Sequence, residues 1–218
     1  MALPTGRGWR VAPTAPAHAG ALAELQRVVF PTLDPSERFG ADHYRRHVEL
    51  FPEGQFVALP DEPPYVPIAA TTTLRLNLDL SNPQHRFPAF VGGLSLTAHD
   101  PEGEWLYGAD VGVHPDWRRR GIARALYAAR QSTAVRLGLR GQLTVGMLNG
   151  YGAAAGRMSA GDYYERLVAG EIQDPTVSAQ MRIGFRPDGL IPDYVHDPRC
   201  RGYGVLLTLP ADQQVSLR

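Results

Sequence analysis

Hydrophobic and polar positions follow two periods along this chain, and the switches between them mark out the elements. "GWRVAP" alternates as a short strand. "AHAGALAELQRVVF" puts Ala19, Leu22, Leu25, Val28 and Val29 at helical spacing, and Pro31 stops the helix. "ADHYRRHVELF" predicts a second helix, ended by Pro52. "GQFVALP" and "VPIAATTTLRLNLDL" read as strands divided by a "DEPP" turn. Residues 76–103 break the pattern with Pro, Gly and Asn. They are expected to be an insertion with one short strand in "AFVGGLSL", closing on the turn "HDPEGE". "EWLYGADVGVH" is the next strand. The strongest helix lies in "RRRGIARALYAARQSTAVRLGL": Ile122, Leu126, Ala129, Thr133 and Leu137 share a face and Gly138 can cap the end. "QLTVGML" is a strand. A second insertion at 148–173 holds a Gly-rich loop and the helix "SAGDYYERLVAG". "PTVSAQMRI" is a helix ending near Gly184, and "GYGVLLTLP" closes as a strand. Early hairpins followed by a strand–helix–strand crossover predict an α/β (α+β) fold, with a mixed sheet and helices on both faces.

Composition narrows the function classes. A chain of 218 residues with 44% hydrophobic positions can bury a substantial core and is expected to be a single domain, 1–218. Its net charge is zero, which argues against a global nucleic-acid or membrane footprint. All 22 basic residues are arginine, so lysine chemistry is excluded. Cys200 is the only cysteine, so no intrachain disulfide can form, as suits a reducing cytoplasm. "MALPTGRGWRV" lacks the apolar core of a signal peptide, and no apolar run approaches the ~18 residues of a membrane span.

The chemistry concentrates in "VGVHPDWRRRGIARAL", Val111 to Leu126, where a strand hands over to the strongest helix through three arginines and a glycine. A helix N-terminus carries unsatisfied amides and the positive end of the dipole, and so binds anions. Arg118, Arg119 and Arg120 add charge, Gly121 leaves room for close approach, and Ala123 keeps the first turn small. The physical reading is a pyrophosphate seat; a solvated arginine cluster capping a surface helix is the plain alternative.

This stretch resembles the acetyl-CoA signature of the GCN5-related N-acetyltransferases (GNAT), which runs V-x-P and then Arg/Gln-x-x-Gly-x-Gly/Ala. Arg118, Gly121 and Ala123 stand at its three fixed positions. A narrower resemblance is carried by "FPEGQFVAL", "HDPEGEWLYGADVGVHP" and "YYERLVAGEIQDPTVSAQMRIGF…GYGVLL". They are similar to the acetyltransferase domain found fused to carbon–nitrogen hydrolases, here expected to stand alone. The resemblance implies a GNAT fold with a mostly antiparallel, twisted mixed sheet. It also implies acetyl-CoA as co-substrate, direct attack by an amine, and no metal. Val111, Gly112 and Val113 would meet the pantetheine arm, and Arg118, Arg119, Arg120, Gly121, Ile122, Ala123 and Arg124 the pyrophosphate. Asp110 is a candidate base, and Tyr107, where some members carry a glutamate, could hold a water. His99 and Asp100 are candidates for the substrate entrance; a plain Asp-Pro-Glu-Gly turn explains the same residues. The tyrosine that often protonates the departing thiolate is replaced by Gln180, with Tyr194 and Tyr203 as substitutes, and Asp174 stands near a usual asparagine. Asp100, Glu102 and Glu104 lie in the stretch from Asp79 to Asp110, which holds only Arg86 as a cation. An acidic approach there predicts a small cationic or peptide amine as partner. A homodimer is compatible with this reading.

Two rival readings stand beside it: a non-catalytic acyl-CoA-binding sensor, suggested by Gln180, and a dinucleotide oxidoreductase, suggested by "GYGAAAG" after a strand. His43 and His47 have metal-binding spacing but no third ligand, and a partly exposed helix face explains them. Neither G-x-S-x-G nor G-K-[ST] occurs.

Overall fold

The computed structural model describes residues 3–216. In chain order the elements are β1 (Thr5–Gly6), β2 (Trp9–Pro13), α1 (Ala19–Val29), α2 (Ala41–Leu50), β3 (Phe56–Pro60), β4 (Ala69–Leu76), α3 (Phe87–Phe90) and β5 (Trp105–Val113). They continue as α4 (Ile122–Arg136), β6 (Gly141–Met147), α5 (Tyr151–Ala154), α6 (Ala160–Val168), α7 (Val177–Ile183), β7 (Arg186–Ile191) and β8 (Gly204–Pro210). The eight strands form one sheet in the order β1-β2-β3-β4-β5-β6-β8-β7. Every pairing is antiparallel except β5 with β6, which α4 connects as a crossover. The mixed α/β sheet expected from the pattern is therefore present, mostly antiparallel as the resemblance implies.

The helices lie on both faces. Ile122, Leu126 and Ala129 of α4 pack with Val11, Phe56 and Ala69, and Thr133 is also buried. The face read from the sequence is thus the face that is covered. The chain leaves α4 through Gly138, at φ +66°, where L side chains are strained. α7 lies on the same side: Gln180 reaches Tyr127 of α4. On the other face α1 and α2 pack over the sheet, with Leu22, Leu25 and Tyr44 in the larger core cluster. Val28 of α1 is exposed, so the apolar stripe of that helix is narrower than its spacing suggests.

Three local expectations need correction. "AFVGGLSL" forms no strand: Pro88 sits in the first turn of α3, and Gly92 and Gly93 at φ +75° and +78° turn the chain back on itself. Ala98 N–H then donates to the Val91 carbonyl at 3.1 Å. "RPDGLI", which carried no strand signal, forms β7; as the outer strand of the sheet it tolerates Pro187 and a register shift before Gly189. His47 is buried rather than half-exposed, and its Nε2 donates to the Leu94 carbonyl at 2.7 Å. Among the described residues, no helix is long and apolar enough to cross a membrane.

Candidate active site

The site originates in a change of pairing. β5 and β6 run parallel only from Trp105↔Gly141 to Gly108↔Thr144. Beyond that point β5 pairs with β4 alone and β6 with β8 alone, so the two strands part. The backbone edge of β5 that faces the gap is left without a partner strand. The gap opens into a cavity of about 720 Å³, a usual size for a small-molecule site.

A β-bulge aims the side chains at the fork. Thr72 lies opposite Asp110 and Thr73 opposite Gly108, so Ala109 is the extra residue. The bulge shifts the alternation by one. Asp110 and Gly112 then face α2 and α1, as their contacts with Tyr44 and Val29 record, and Tyr107 meets His85 from the segment before α3. Leu106, Gly108, Val111 and Val113 face α4. Without the bulge Asp110 would point to the α4 side.

Asp110 lines the cavity. Its Oδ1 accepts from the Thr72 N–H at 2.7 Å, and the Tyr44 hydroxyl lies 3.4 Å from Oδ2. Burial pushes its carboxyl up to about 6, against the opposing pull of Thr72, Arg130 and Tyr44. A group ionising there suits proton abstraction near neutrality.

Tyr107 is placed differently from the expectation. It is fully buried, and Tyr194 rather than Tyr107 reaches the cavity wall. His85 Nδ1 lies 2.7 Å from the Pro83 carbonyl and so donates to it. Burial lowers the ring's pKa, leaving Nε2 to accept from the Tyr107 hydroxyl at 2.9 Å. The Tyr194 hydroxyl lies 3.1 Å further along. Tyr107 is thus the middle of a buried chain from Tyr194 to His85.

The arginine turn forms the other end of the cavity. A 3₁₀ turn at Pro115–Trp117 precedes it. Arg119 (φ +62°) and Gly121 (φ +80°) bend the chain into the first turn of α4. A Cβ on Gly121 would meet no atom within 4 Å, so that place opens outward. Arg118, Arg119, Gly121, Ile122, Ala123 and Arg124 all line the cavity, as do Val111 and Val113. Two members of the expected set do not. Gly112 points at α1, where a Cβ would lie 2.9 Å from Val29 Cγ1. Arg120 folds over the Trp117 ring at 4.6 Å and donates to the Asp116 carbonyl.

His99 and Asp100 are not brought to this cavity. His99 Nδ1 accepts from the Arg75 N–H at 3.1 Å and the ring stacks on Phe51; the Asp100 N–H donates to the Arg75 carbonyl. Arg75 lies opposite Leu106, roughly 13 Å down the strand from Asp110 at the ordinary rise per residue. They pin the turn to β4, which is the plain reading of that sequence. Glu102 is exposed beside them, and Glu104 pairs with Arg140 at 3.3 Å. The expected acidic approach through this stretch is therefore corrected as well. The carboxylates that do line the cavity beside Asp110 are Glu37 and Asp197. Buried Glu37 accepts from the His196 N–H at 2.7 Å and pairs with Arg86. Asp197 is 5% exposed, accepts from Thr32 Oγ1 at 2.8 Å and from the Arg199 N–H at 2.7 Å, and makes no ion pair among the described residues. Both sat in turn-like sequence, "LDPSE" and "HDPRC", which gave no sign that they face inward.

Gln180 is buried on the cavity wall, and its Nε2 donates to the Tyr127 hydroxyl at 2.8 Å. Tyr127 belongs to α4, lines the same cavity and was not singled out in the sequence. Tyr203 packs edge-on against Tyr151, outside the cavity lining. Asp174 is buried and holds the N–H groups of Thr176, Val177 and Gly150.

The sequence model of the acetyltransferase (GNAT) family matches residues 34–154, from before α2 to the end of α5. The chain belongs to the acetyltransferase (GNAT) family. The fork, the bulge and the arginine turn all fall within the matched span or on its border strands. Among relatives of this GNAT chain, "Probable hydrolase YhcX" of Bacillus subtilis (strain 168) is 34% identical over 176 residues, 81% of this chain. The match spans only 33% of that protein's length. "Uncharacterized N-acetyltransferase YkwB" of the same organism is 30% identical over 187 residues, 85% of this chain and 81% of that one. The GNAT-like decarboxylase GphF, solved in complex with isobutyryl-CoA, has the same fold at a TM-score of 0.74. It is 22% identical, over 93% of this chain and 99% of that one.

Proposed function

We propose that the chain is an acetyl-CoA-dependent N-acetyltransferase acting on an amine that carries a positive charge, by direct attack in a ternary complex. One observation carries the reading: the forked cavity joins a cationic helix start at one end to a half-buried carboxylate, Asp110, at its floor. The residues present suit acetyl-CoA. Gly121 leaves open space at the helix start, and Arg124 Nε is buried there without a partner among the described residues. The name of YkwB and the isobutyryl-CoA held by GphF agree with a CoA thioester as donor.

Each residue then has a task. Arg118, Arg119 and Arg124 hold the pyrophosphate together with the first amides of α4. The free edge of β5 from Ala109 to Val113 aligns the pantetheine arm and polarises the acetyl carbonyl through a backbone N–H. Asp110 takes a proton from the attacking amine. Tyr127, whose hydroxyl accepts from Gln180 and so keeps its own proton free to donate, hydrogen-bonds the thiolate as it leaves. Tyr127 answers the absence of a tyrosine at 180, the feature that had favoured a sensor without turnover. At the acceptor end, Asp197 offers a carboxylate with no cationic partner among the described residues, which favours an acceptor with a second positive group.

Titration calorimetry tests the donor half. Acetyl-CoA should bind at one site and NAD should not. Gly121→Val, which places a branched side chain in the open space, should abolish that binding. Binding of NAD, or unchanged affinity in Gly121→Val, would overturn the assignment.

A further inference from the structure

Arg130 of α4 is fully buried, and the description of the site so far gives it no task. Its guanidinium fills the place of the missing side chain at Gly108, where a Cβ would lie 2.0 Å from Nη2 and 2.3 Å from Nη1. Gly108 is the last β5 residue paired with β6, so this cation lies directly beneath the point where the strands part. Nη2 donates to the Leu143 carbonyl at 3.3 Å, Nε and Nη1 have no partner among the described residues, and the Tyr127 ring lies 5.0 Å away. It forms no ion pair among the described residues. A buried cation without a counter-ion is costly, and its retention calls for a physical reason.

The groups around it supply that reason. Arg130 feels Asp110, Tyr127 and Tyr107, and of these only Asp110 is ionised near neutrality. Asp110 meets Tyr44 from α2 and Thr72 from β4 on its own face of the sheet; Tyr127 and Arg130 of α4 act on it from the opposite face, and among the described residues Arg130 is the one cation that pulls its carboxyl down. Burial lowers the Arg130 guanidinium only to about 10, so it stays charged through the neutral range.

We propose that Arg130 is a positioning residue: a fixed cation under the fork that keeps Asp110 ionised, and so ready to accept the amine proton, while touching neither substrate. The claim rests on Asp110 being the base, and the test separates the two. The titration of the Asp110 carboxyl is followed by carbon NMR in the wild type and in Arg130→Met, and the pH profile of kcat/KM is measured alongside. In Arg130→Met the Asp110 midpoint should rise by roughly one unit, the size a neighbouring cation commonly supplies. The acid limb of the profile should rise with it, with KM for acetyl-CoA little changed. Arg130→Lys should restore most of both. A midpoint that does not move overturns the role of Arg130, whatever happens to activity. A midpoint that rises while the acid limb stays in place leaves Arg130 acting on Asp110 but removes Asp110 as the base, and the proposal falls with it. If Arg130→Met does not fold, Gly108→Ala, which drives a methyl group into the guanidinium, reads the same midpoint.

Discussion

Asp110 holds its proton more tightly in the fold than in the unfolded chain, and that has a cost in stability. The unfolded carboxyl titrates near its ordinary value of about 3.9, the folded one at about 6. Between these values the folded state binds the extra proton. Stability therefore falls as pH rises through that window and stays lower above it. Asp110→Asn removes the charge while its side-chain carbonyl can still accept from the Thr72 N–H. Melting curves should place Asp110→Asn at or above the wild type at pH 8, with the advantage shrinking at pH 4. A mutant equally less stable at both pH values would show that burial is not what raises this carboxyl. The residue was legible in the sequence as a candidate base because it stands in the signature strand. Its partners were not. Thr72, Tyr44 and Arg130 lie 38, 66 and 20 positions away, and a bulge decides which of them it can reach.

At the scale of elements, the period of the apolar positions located α1, α2, α4, α6, α7 and six of the strands, because each buries one face. It could not locate β7, whose sequence is mostly polar or backbone-special, nor the turns of 77–103, which follow from two positive-φ glycines rather than from burial. Asp174 shows how such irregular parts are held. Its Oδ1 accepts from the N–H groups of Thr176 and Val177, and its Oδ2 from the Gly150 N–H and the Tyr163 hydroxyl. The side chain thus ties the start of α7 to α5 and α6, and helps set the wall that carries Asn149, Thr176 and Gln180. Asp174→Ala strands several buried donors, each costing about 1–3 kcal/mol. Denaturant unfolding should show a loss at the upper end of that range or beyond, with amide exchange speeding first around α5 and α7. A loss below 1 kcal/mol would mean that the wall is held by packing alone.

At the scale of the molecule, the sheet order turns a chain pattern into a site. Six pairings are local hairpins or antiparallel returns; the β5–β6 pair alone is parallel, and it parts where the arginine turn begins α4. The signature made the cationic end legible because its residues are contiguous. The carboxylates Glu37 and Asp197 of the cavity lining stayed hidden because they come from distant turns that meet only in the fold. The acidic stretch that looked like an entrance lies instead at the far end of β5. The measurement that bears most directly on the central claim is acetyl transfer itself. Initial rates of thiol release and the mass of the product are followed with acetyl-CoA and a panel of amines, for the wild type and Asp110→Asn. The account predicts that amines with a second positive group gain the acetyl group fastest, with kcat/KM falling as salt is added. Asp110→Asn should lose about 10²-fold or more in kcat with acetyl-CoA binding retained. Acetyl-CoA bound with no amine acetylated, or full turnover in Asp110→Asn, would contradict it.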